Sequence, residues 1–323
     1  MSRDTLGLLA AAILGLQSAA CGGGTAGPAA NQLRNPVIVT DFPDPMVLRV
    51  AGLYYAYATT DGTRRIQVAR SRDLASWTLL ADALPRLPAW QSVEVGKTWA
   101  PDVSRIGERY VMYYTGRSRE LGVQCVSVAV ADRPEGPFMD TSAGPLVCSR
   151  ELGGAIDPSR FVDADGSTYL LYKSDGNCCG LPAELWGARL AADGLSLASV
   201  PQRLGVRNDQ PWEGRVVEAP FLVRHGSRYY LFYSANDYAS SRYAVGYATG
   251  GQVLGPFAKA AENPILRSGR DDAGPGGESV FEGPGGLWMA FHAWTPGRIG
   301  PGDPRSMWVV RLRFDHERPV LDR

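Results

Sequence analysis

The chain has 323 residues, and its 33 lysine and arginine residues balance 33 aspartate and glutamate residues, so the formal net charge is zero. Without a basic surplus, binding to nucleic acid or to an anionic membrane by general electrostatic attraction is excluded. The 38 glycines, 23 prolines and 45% hydrophobic residues indicate a folded protein with many tight turns.

The first 20 residues predict a secretory signal peptide. Arg3 is followed by an apolar stretch from Leu6 to Leu16 and then by small residues before Cys21. This stretch is too short to span a bilayer as a helix, whereas a cationic start, a short apolar centre and a small-residue exit are typical of signal peptides. We therefore expect export.

The end of this segment resembles a bacterial lipoprotein signal, in which Cys21 is lipidated and begins the mature chain. A flexible linker follows at residues 22–35. Ser18 stands where such signals usually carry an aliphatic residue, so ordinary cleavage and free secretion are the alternative. Removing Cys21 as an anchor leaves an even number of cysteines in an oxidising compartment, which favours the lipoprotein.

One short pattern recurs five times after the linker. Each copy is a turn glycine followed by a run rich in Tyr, Val, Leu and Phe, which predicts a strand that begins after a hairpin turn. A second predicted strand follows most copies, and helical periodicity is not sustained. The turn glycines lie about 60 residues apart, a period typical of repeat architectures. They are Gly52, Gly107, Gly166, Gly226 and Gly285.

An acidic residue precedes each turn glycine at a nearly constant offset, and we expect these acids to share one structural position. They are Asp44, Asp102, Asp157, Glu218 and Glu278. Five all-β units, each too small to bury a core alone, predict a five-bladed β-propeller of four-stranded sheets over residues 36–323. Inner strands converge on the propeller axis, so distant acids become neighbours. The alternative, a β-sandwich, explains neither the equal spacing nor the recurrent acid.

Five short segments, one in each repeat, lie at or near these acids. They are PDPMV, TWAPDV, IDPSRFVDADGSTYLLY, VEAPFLV and FHAW. In these segments the sequence resembles glycoside hydrolase family 43, the five-bladed propeller enzymes that remove arabinofuranose or xylose units from plant polysaccharides. The resemblance covers about residues 36–314 and implies a general base at Asp44, an auxiliary acid at Asp157 and a general acid at Glu218.

The chemistry of glycoside hydrolysis explains why such acids are needed. Hydrolysis with inversion uses one carboxylate to activate water and one protonated carboxyl to donate to the leaving oxygen. Neighbouring carboxylates and burial keep the donor protonated to higher pH. Asp102 and Glu278 have no catalytic counterpart in the family, and we expect them to be structural.

The fifth repeat departs from the family pattern, with Gly277 and Glu278 where many relatives have a histidine and a small polar residue. His292 matches the axial histidine that in many relatives helps hold a metal ion, usually calcium, or water. The resemblance therefore implies a structural calcium ion near the axis, although the chemistry requires no cofactor. A hydrogen-bonded core histidine is the alternative, because no calcium loop rich in Asp and Asn accompanies it.

Residues beside the acidic motifs are the candidates for substrate binding, because the apolar C–H faces of sugars pack on aromatic rings. Trp99 precedes the Ala-Pro pair of the second repeat and is the first choice. Arg305 resembles the family arginine that reaches a sugar hydroxyl and the auxiliary acid, with a solvated loop residue as the alternative. The candidates are Phe42, Trp99, Trp212, Trp294 and Arg305.

Four cysteines follow the predicted lipid anchor. Cys125 and Cys148 fit adjacent outer strands of one repeat, so we expect a disulfide between them. Cys178 and Cys179 lie in a glycine-rich loop after the third repeat's first long strand. They bond to each other at the pocket rim or pair elsewhere, and both alternatives are open.

The sequence thus predicts an inverting glycoside hydrolase acting on arabinose- or xylose-containing plant polysaccharides or oligosaccharides. An exo-acting α-L-arabinofuranosidase is favoured over a β-xylosidase or an endo-arabinanase. A non-catalytic carbohydrate-binding propeller is the second hypothesis, and the presence of all three acids argues for the enzyme. Transfer of the sugar to phosphate would need a cationic cradle, and no Lys/Arg cluster adjoins the acidic motifs. We expect a monomer that contacts membranes only through lipid on Cys21.

Overall fold

The computed structural model describes Met1 and residues 33–323, so the predicted signal peptide, Cys21 and most of the linker at 22–35 lie outside the described residues. Regular structure in the described part is almost all β-strand. Three single 3₁₀ turns interrupt it, at Arg150–Leu152, Gly176–Cys179 and Pro211–Glu213. Within these residues no helix has the length and apolarity needed to cross a bilayer.

The described residues form nineteen strands in five sheets, and the strands of each sheet follow one another in chain order. Each sheet is one blade. The blades are, in order, β1 (Met46–Val50), β2 (Leu53–Ala58), β3 (Gln67–Ser71) and β4 (Trp77–Leu79); β5 (Thr98–Ile106), β6 (Arg109–Arg117) and β7 (Gln124–Ala131); β8 (Ala155–Val162), β9 (Thr168–Ser174), β10 (Glu184–Arg189) and β11 (Gln202–Arg207); β12 (Val217–His225), β13 (Arg228–Ala235), β14 (Ala244–Gly250) and β15 (Ala258–Lys259); β16 (Ala273–Gly283), β17 (Gly286–Trp294), β18 (Ser306–Asp315) and β19 (Arg318–Asp322).

The second blade has three strands, so the prediction of four strands in every sheet is wrong there. Isolated bridges, such as the one between Val126 and Val147, take the place of a full outer strand. A disulfide between Cys125 and Cys148, whose Cα atoms are 4.7 Å apart, fastens the same edge. The predicted pairing of these two cysteines is confirmed.

The second strands of the blades are largely apolar because both of their faces are buried. In β13, Leu231 and Tyr233 pack against the third blade, whereas Tyr230 and Phe232 pack against the fifth. Successive side chains of a strand point to opposite faces. A strand between two neighbouring blades is therefore apolar at most positions on both faces, which explains the repeated runs after the turn glycines.

Five hydrophobic clusters join the blades, one between each neighbouring pair, including the last and the first. Between the fifth and first blades, Phe281 and Trp288 pack with Val47. The segment before β1 adds a backbone hydrogen bond, from Val37 N–H to the Met307 carbonyl at 2.9 Å. The ring of blades is closed, which confirms the five-bladed β-propeller.

Candidate active site

Each blade carries the same backbone feature near the start of its first strand. One residue there has a φ between 42° and 60°. In blades two to five the pairing with the second strand shifts register at this point, as in a β-bulge. A proline follows in four blades, which a bulge tolerates. The five residues are Asp44, Ala100, Asp157, Ala219 and Gly277.

The five recurrent acids do not share one structural position, so that prediction is wrong. Asp44 and Asp157 are themselves the positive-φ residues, whereas Glu218 precedes this position and Asp102 and Glu278 follow it. The repeated feature is the bulge, and each acid has its own offset from it. Because neighbouring side chains on a strand point in different directions, the offset decides which acids reach the same cavity.

Asp44, Asp157 and Glu218 line one pocket of about 520 Å³, and they come from the first, third and fourth blades. Asp102 and Glu278 are buried and instead line a small space of about 40 Å³ that also borders Asp44 and Asp157. Burial raises the pKa of Asp102 to about 7 and that of Glu278 to about 8. The pocket therefore brings together the three acids with predicted catalytic roles and leaves out the other two.

Asp44 is held through both its backbone and its side chain. Its N–H donates to Nδ1 of His292 at 3.0 Å, and the Thr59 hydroxyl donates to its Oδ2 at 2.5 Å. The same Thr59 oxygen accepts a hydrogen bond from the Ala100 N–H at 2.8 Å, which fixes its orientation. The Asp44 side chain is 25% exposed. It is therefore a positioned carboxyl that solvent and ligands can reach.

His292 supports Asp44 from behind. Its ring is buried, and burial lowers the pKa of His292 well below its ordinary value, so the imidazole is neutral. Because Nδ1 accepts the Asp44 N–H, the hydrogen is on Nε2, which has no hydrogen-bond partner within the described part of the chain. This arrangement agrees with the alternative of a hydrogen-bonded core histidine.

The described side chains do not fit a calcium ion bound directly at His292. Neither ring nitrogen has a free lone pair in this tautomer. Among residues 33–323, no group of three or more His, Cys, Asp or Glu side chains is arranged to hold a metal ion. A hydrogen on Nε2 without a protein acceptor suits a water molecule, so an ion held through water stays a prediction.

Glu218 has a hydrogen-bond donor on each carboxyl oxygen. The Tyr243 hydroxyl donates to Oε1 at 2.7 Å, and the Lys173 ammonium donates to Oε2 at 2.9 Å. Burial and the nearby Glu218 charge raise the pKa of Tyr243 well above its ordinary value, so its hydroxyl keeps its hydrogen. These two donors fix the orientation of the Glu218 carboxyl.

Asp157 lies between the other two acids in chain order and is electrostatically linked to both. Its Oδ2 accepts the Ala219 N–H at 3.0 Å. The pKa of Asp157 is raised well above its ordinary value because its carboxyl is desolvated and because Glu218 and Asp44 add negative charge, which together outweigh Lys173. Asp157 therefore keeps a proton at pH values where an ordinary aspartate is ionised.

Lys173 was missed in the sequence, although it reaches the acids from β9. The strand register places it opposite Ile156, which precedes Asp157. Its side chain is 1% exposed, and its Nζ lies 2.9 Å from Glu218 and 3.5 Å from Asp175. Burial acts to lower the pKa of Lys173, but the surrounding carboxylates outweigh it and raise the pKa, so Lys173 is charged.

A lysine inside the otherwise apolar strand TYLLYKS was the available signal for this residue. Lysine is almost never fully buried unless it is paired, so its place in a buried strand indicates a carboxylate partner. A single lysine that is paired with carboxylates is not the cationic cluster that transfer to phosphate would need.

Trp99 and Arg305 line the pocket, as predicted. The Trp99 indole N–H donates to the Gly96 carbonyl at 2.7 Å, which holds the ring in place. The Arg305 guanidinium lies 5.1 Å from the ring centroid of Tyr238. Its carboxylate partner is Asp41, with Nε 3.9 Å from Oδ1, and not the auxiliary acid that the resemblance implied. Substrate contact by Trp99 and Arg305 stays a prediction.

The other three binding candidates do not line the pocket. Phe42 is 0% exposed in the cluster between the first and fifth blades, so it cannot stack on a sugar. Trp294 is also buried, and its Nε1 donates to the Tyr238 carbonyl at 2.8 Å, which supports the wall from behind. Trp212 packs against Tyr233 and lines a neighbouring groove. These three residues were predicted because they lie beside acidic motifs in the sequence, but that position does not determine where their side chains point.

Cys178 and Cys179 bond to each other within the 3₁₀ turn Gly176–Cys179. Cys178 lines the pocket that holds the three acids. Of the two pairings that the sequence left open, the structure therefore has the adjacent one, at the pocket wall.

Comparison with known proteins agrees with this geometry. The sequence pattern of glycosyl hydrolases family 43 matches residues 33–317. The chain belongs to glycoside hydrolase family 43. Its fold superposes with a TM-score of 0.80 on a thermostable family-43 glycoside hydrolase of known structure, at 32% identity, covering 90% of this chain and 95% of the other. This family-43 protein is therefore a glycoside hydrolase.

Two named relatives differ in stated specificity. The family-43 protein is 28% identical over 253 residues to xylosidase/arabinosidase 43B of Humicola insolens, covering 73% of this chain and 44% of that protein. It is 26% identical over 257 residues to extracellular endo-alpha-(1->5)-L-arabinanase 1 of Bacillus subtilis, covering 74% of this chain and 77% of that protein. The chain thus matches less than half of the Humicola protein's length.

Proposed function

We propose that this family-43 protein is an inverting glycosidase that releases arabinose or xylose from plant polysaccharides or oligosaccharides, with exo-acting α-L-arabinofuranosidase activity favoured. The observation that carries the proposal is the placement of Asp44, Asp157 and Glu218 in one pocket. The names of the Humicola and Bacillus relatives support arabinose- or xylose-containing substrates. A β-xylosidase and an endo-arabinanase are the alternatives.

Asp44 is the general base in this proposal. Its carboxyl is held by Thr59 and reached by solvent, so it can take a proton from a water molecule as that water attacks the anomeric carbon. In an inverting enzyme the water attacks opposite the leaving group. The Asp44 and Glu218 carboxyls then flank the sugar at about 6.5–9.5 Å from each other.

Glu218 is the general acid because of its place between two cavities. It lines the pocket and also an adjoining groove of about 1240 Å³. With the terminal sugar in the pocket and the rest of the substrate in the groove, the glycosidic oxygen lies beside Glu218. The carboxyl can then protonate that oxygen as the bond breaks. A pocket followed by a wider groove supports exo action.

Asp157 completes the proposed machinery by sharing a proton with Glu218. Two interacting carboxyls release their protons in steps that belong to the pair rather than to either residue. The raised pKa of Asp157 supports this coupling. Lys173 and Tyr243 act as positioning residues, since they contact Glu218 rather than the reacting bond.

Initial rates on p-nitrophenyl α-L-arabinofuranoside, p-nitrophenyl β-D-xylopyranoside and linear arabinan test the proposal. The expected result is faster cleavage of the arabinofuranoside, release of arabinose alone from arabinan, and an inverted anomer by NMR. Preference for the xyloside would identify a β-xylosidase, and early release of oligosaccharides would identify an endo-arabinanase. A protein that binds arabinan without cleaving any substrate would be the carbohydrate-binding propeller.

We further propose that residues 36–323 are the catalytic domain of an exported monomer anchored by lipid on Cys21. The word extracellular in the name of the Bacillus relative supports export. Mass spectrometry of the membrane fraction tests the anchor, with a lipidated N-terminal peptide as the expected result. A mature chain recovered without lipid in the soluble exported fraction would establish free secretion.

A further inference from the structure

The groove beside the pocket is lined by three arginines from separate loops. Arg215 follows the 3₁₀ turn Pro211–Glu213, Arg242 precedes β14, and Arg267 follows β15. All three side chains are exposed. Arg242 and Arg267 make hydrogen bonds through backbone atoms, but none of the three guanidinium groups forms a salt bridge or a hydrogen bond with a described residue. Their guanidinium groups are therefore available to a ligand in the groove.

The groove is positively charged although the whole chain has no net charge. Its only acidic lining residues are Glu218 and Asp237. Glu218 is bound to the ammonium of Lys173, and Asp237 uses Oδ1 to accept the Ala239 N–H. Three arginines thus face one uncompensated carboxylate. Clustered charge of one sign in a concave surface attracts ligands of the opposite sign.

In the proposed function, the groove holds the part of the substrate that leaves. It shares Asn177, Glu218 and Tyr238 with the pocket. A chain whose terminal sugar occupies the pocket can therefore pass Glu218 and continue into the groove. The Tyr238 ring is 49% exposed at this junction and offers a face for a sugar ring. Groups recognised by the three arginines lie on the leaving side of the bond that is cleaved.

We propose that this groove binds the carboxylate of a uronic acid residue in the leaving portion of the substrate. The inference rests on the proposed glycosidase function and narrows its substrate class to acidic arabinose- or xylose-bearing glycans. Uronic acids supply carboxylates in plant cell-wall polysaccharides. Guanidinium groups match a carboxylate with two parallel hydrogen bonds, which makes arginine suited to this recognition.

Matched pairs of oligosaccharides test the inference. Each pair carries the same terminal arabinose or xylose and a uronic acid on the leaving side, either as the free acid or as its methyl ester. The readout is the ratio of kcat/KM for acid and ester. We expect a ratio of about ten or more at low salt, because charge-assisted hydrogen bonds to carboxylates are the strong ones. The ratio should fall in 0.5 M NaCl, since salt screens exposed charges.

Variants of the three arginines test which of them recognise the carboxylate. Arg215→Gln, Arg242→Gln and Arg267→Gln should each lower the ratio, and the triple variant should bring it near one. Arg109→Gln is the matched control, because Arg109 is an exposed arginine on β6 outside the groove. The control should keep the wild-type ratio. An equal kcat/KM for acid and ester in the wild type, or a ratio that survives in the triple variant, would overturn the inference.

Failure of the proposed function is distinguishable from failure of this inference. If the wild type cleaves no neutral arabinoside or xyloside, the glycosidase proposal fails. Calorimetric binding of the acid and ester forms to Glu218→Gln still tests the groove, with tighter binding of the acid expected. Equal binding of the two forms would overturn the inference. Formation of a sugar phosphate in added inorganic phosphate would also overturn it, because the arginines would then serve phosphate.

Discussion

Lys173 donates to Glu218 through Nζ and Oε2 at 2.9 Å, so a buried cation contacts the carboxyl proposed to act as an acid. An ammonium stabilises the ionised form of its partner and opposes protonation. Asp175 accepts from the same ammonium at 3.5 Å, and Asp157 adds a second buried carboxyl. Lys173 therefore lies among three carboxyls, those of Glu218, Asp157 and Asp175, which together raise its pKa.

Removing the positive charge of Lys173 and removing the negative charge of Asp175 should shift the pH dependence of activity in opposite directions. In Lys173→Met, the site loses the cation that acts to lower the pKa of Asp157, so the alkaline limb of kcat/KM against pH should move up by about one unit. In Asp175→Asn, Lys173 is left with Glu218 as its charged partner, and the limb should move down. Profiles on p-nitrophenyl glycosides measure both.

The conservative variant Lys173→Arg separates charge from packing. It keeps a cation beside Glu218, so its alkaline limb should stay near that of the wild type even if kcat falls. A purely structural role for Lys173 would lower kcat in all variants without moving the limb. That result, or a downward shift in Lys173→Met, would contradict the electrostatic interpretation.

Asp157→Asn should lower the pH at which activity is lost on the alkaline side. The asparagine oxygen can still accept the Ala219 N–H, but the side chain can neither hold a proton nor become charged. Because the acid with the raised pKa is removed from the pocket, the alkaline limb of kcat/KM against pH should move down by about one unit. An unchanged alkaline limb would show that Asp157 does not share a proton with Glu218.

The propeller was predictable because its signals are local and repeated. Each turn glycine is followed by an apolar strand, and the same unit occurs five times. The repetition also predicted that acids near the strand starts would converge, but it was the resemblance to family 43 that selected Asp44, Asp157 and Glu218 from the five. The disulfide of Cys125 and Cys148 followed from the same reasoning on adjacent strands.

Features that depend on side-chain direction or strand pairing were not predictable. Phe42 is only two residues from Asp44 but points into the core. Lys173 contacts Glu218 through the pairing of strands and the packing of two blades, neither of which is written in the local sequence. The offset of Glu218 from the bulge also required the register of β12 with β13. The sequence therefore predicted which strands form the site. Which side chains point into the pocket depends on strand register and on packing between blades.

The roles of Asp44 and Glu218 should separate when the leaving group is changed. A dinitrophenolate departs without protonation, so Glu218→Ala should recover much of the wild-type rate on a dinitrophenyl glycoside. On a poor leaving group the same variant should lose about 10²–10⁴-fold, the usual contribution of a general acid. Asp44→Ala should lose activity on both substrates, because water still needs a base. Equal losses for Glu218→Ala on both substrates would remove it from the acid role.

Glu278 should make the protein less stable as pH rises. Burial raises its pKa from 4.5 to about 8 in the folded state, so the folded protein binds the proton more tightly than the unfolded chain. Proton binding to Glu278 therefore contributes on the order of a few kcal/mol to the free energy of unfolding. This contribution is fully present below about pH 4.5 and is lost as the pH rises to about 8.

Glu278→Gln can keep the contact with Ser234 and has no charge to bury. Urea unfolding of both proteins at pH 5 and pH 8 should show the variant gaining stability relative to wild type at pH 8. Glu108→Gln, at an exposed position, should show no such gain, and parallel pH curves for Glu278→Gln and wild type would contradict the prediction.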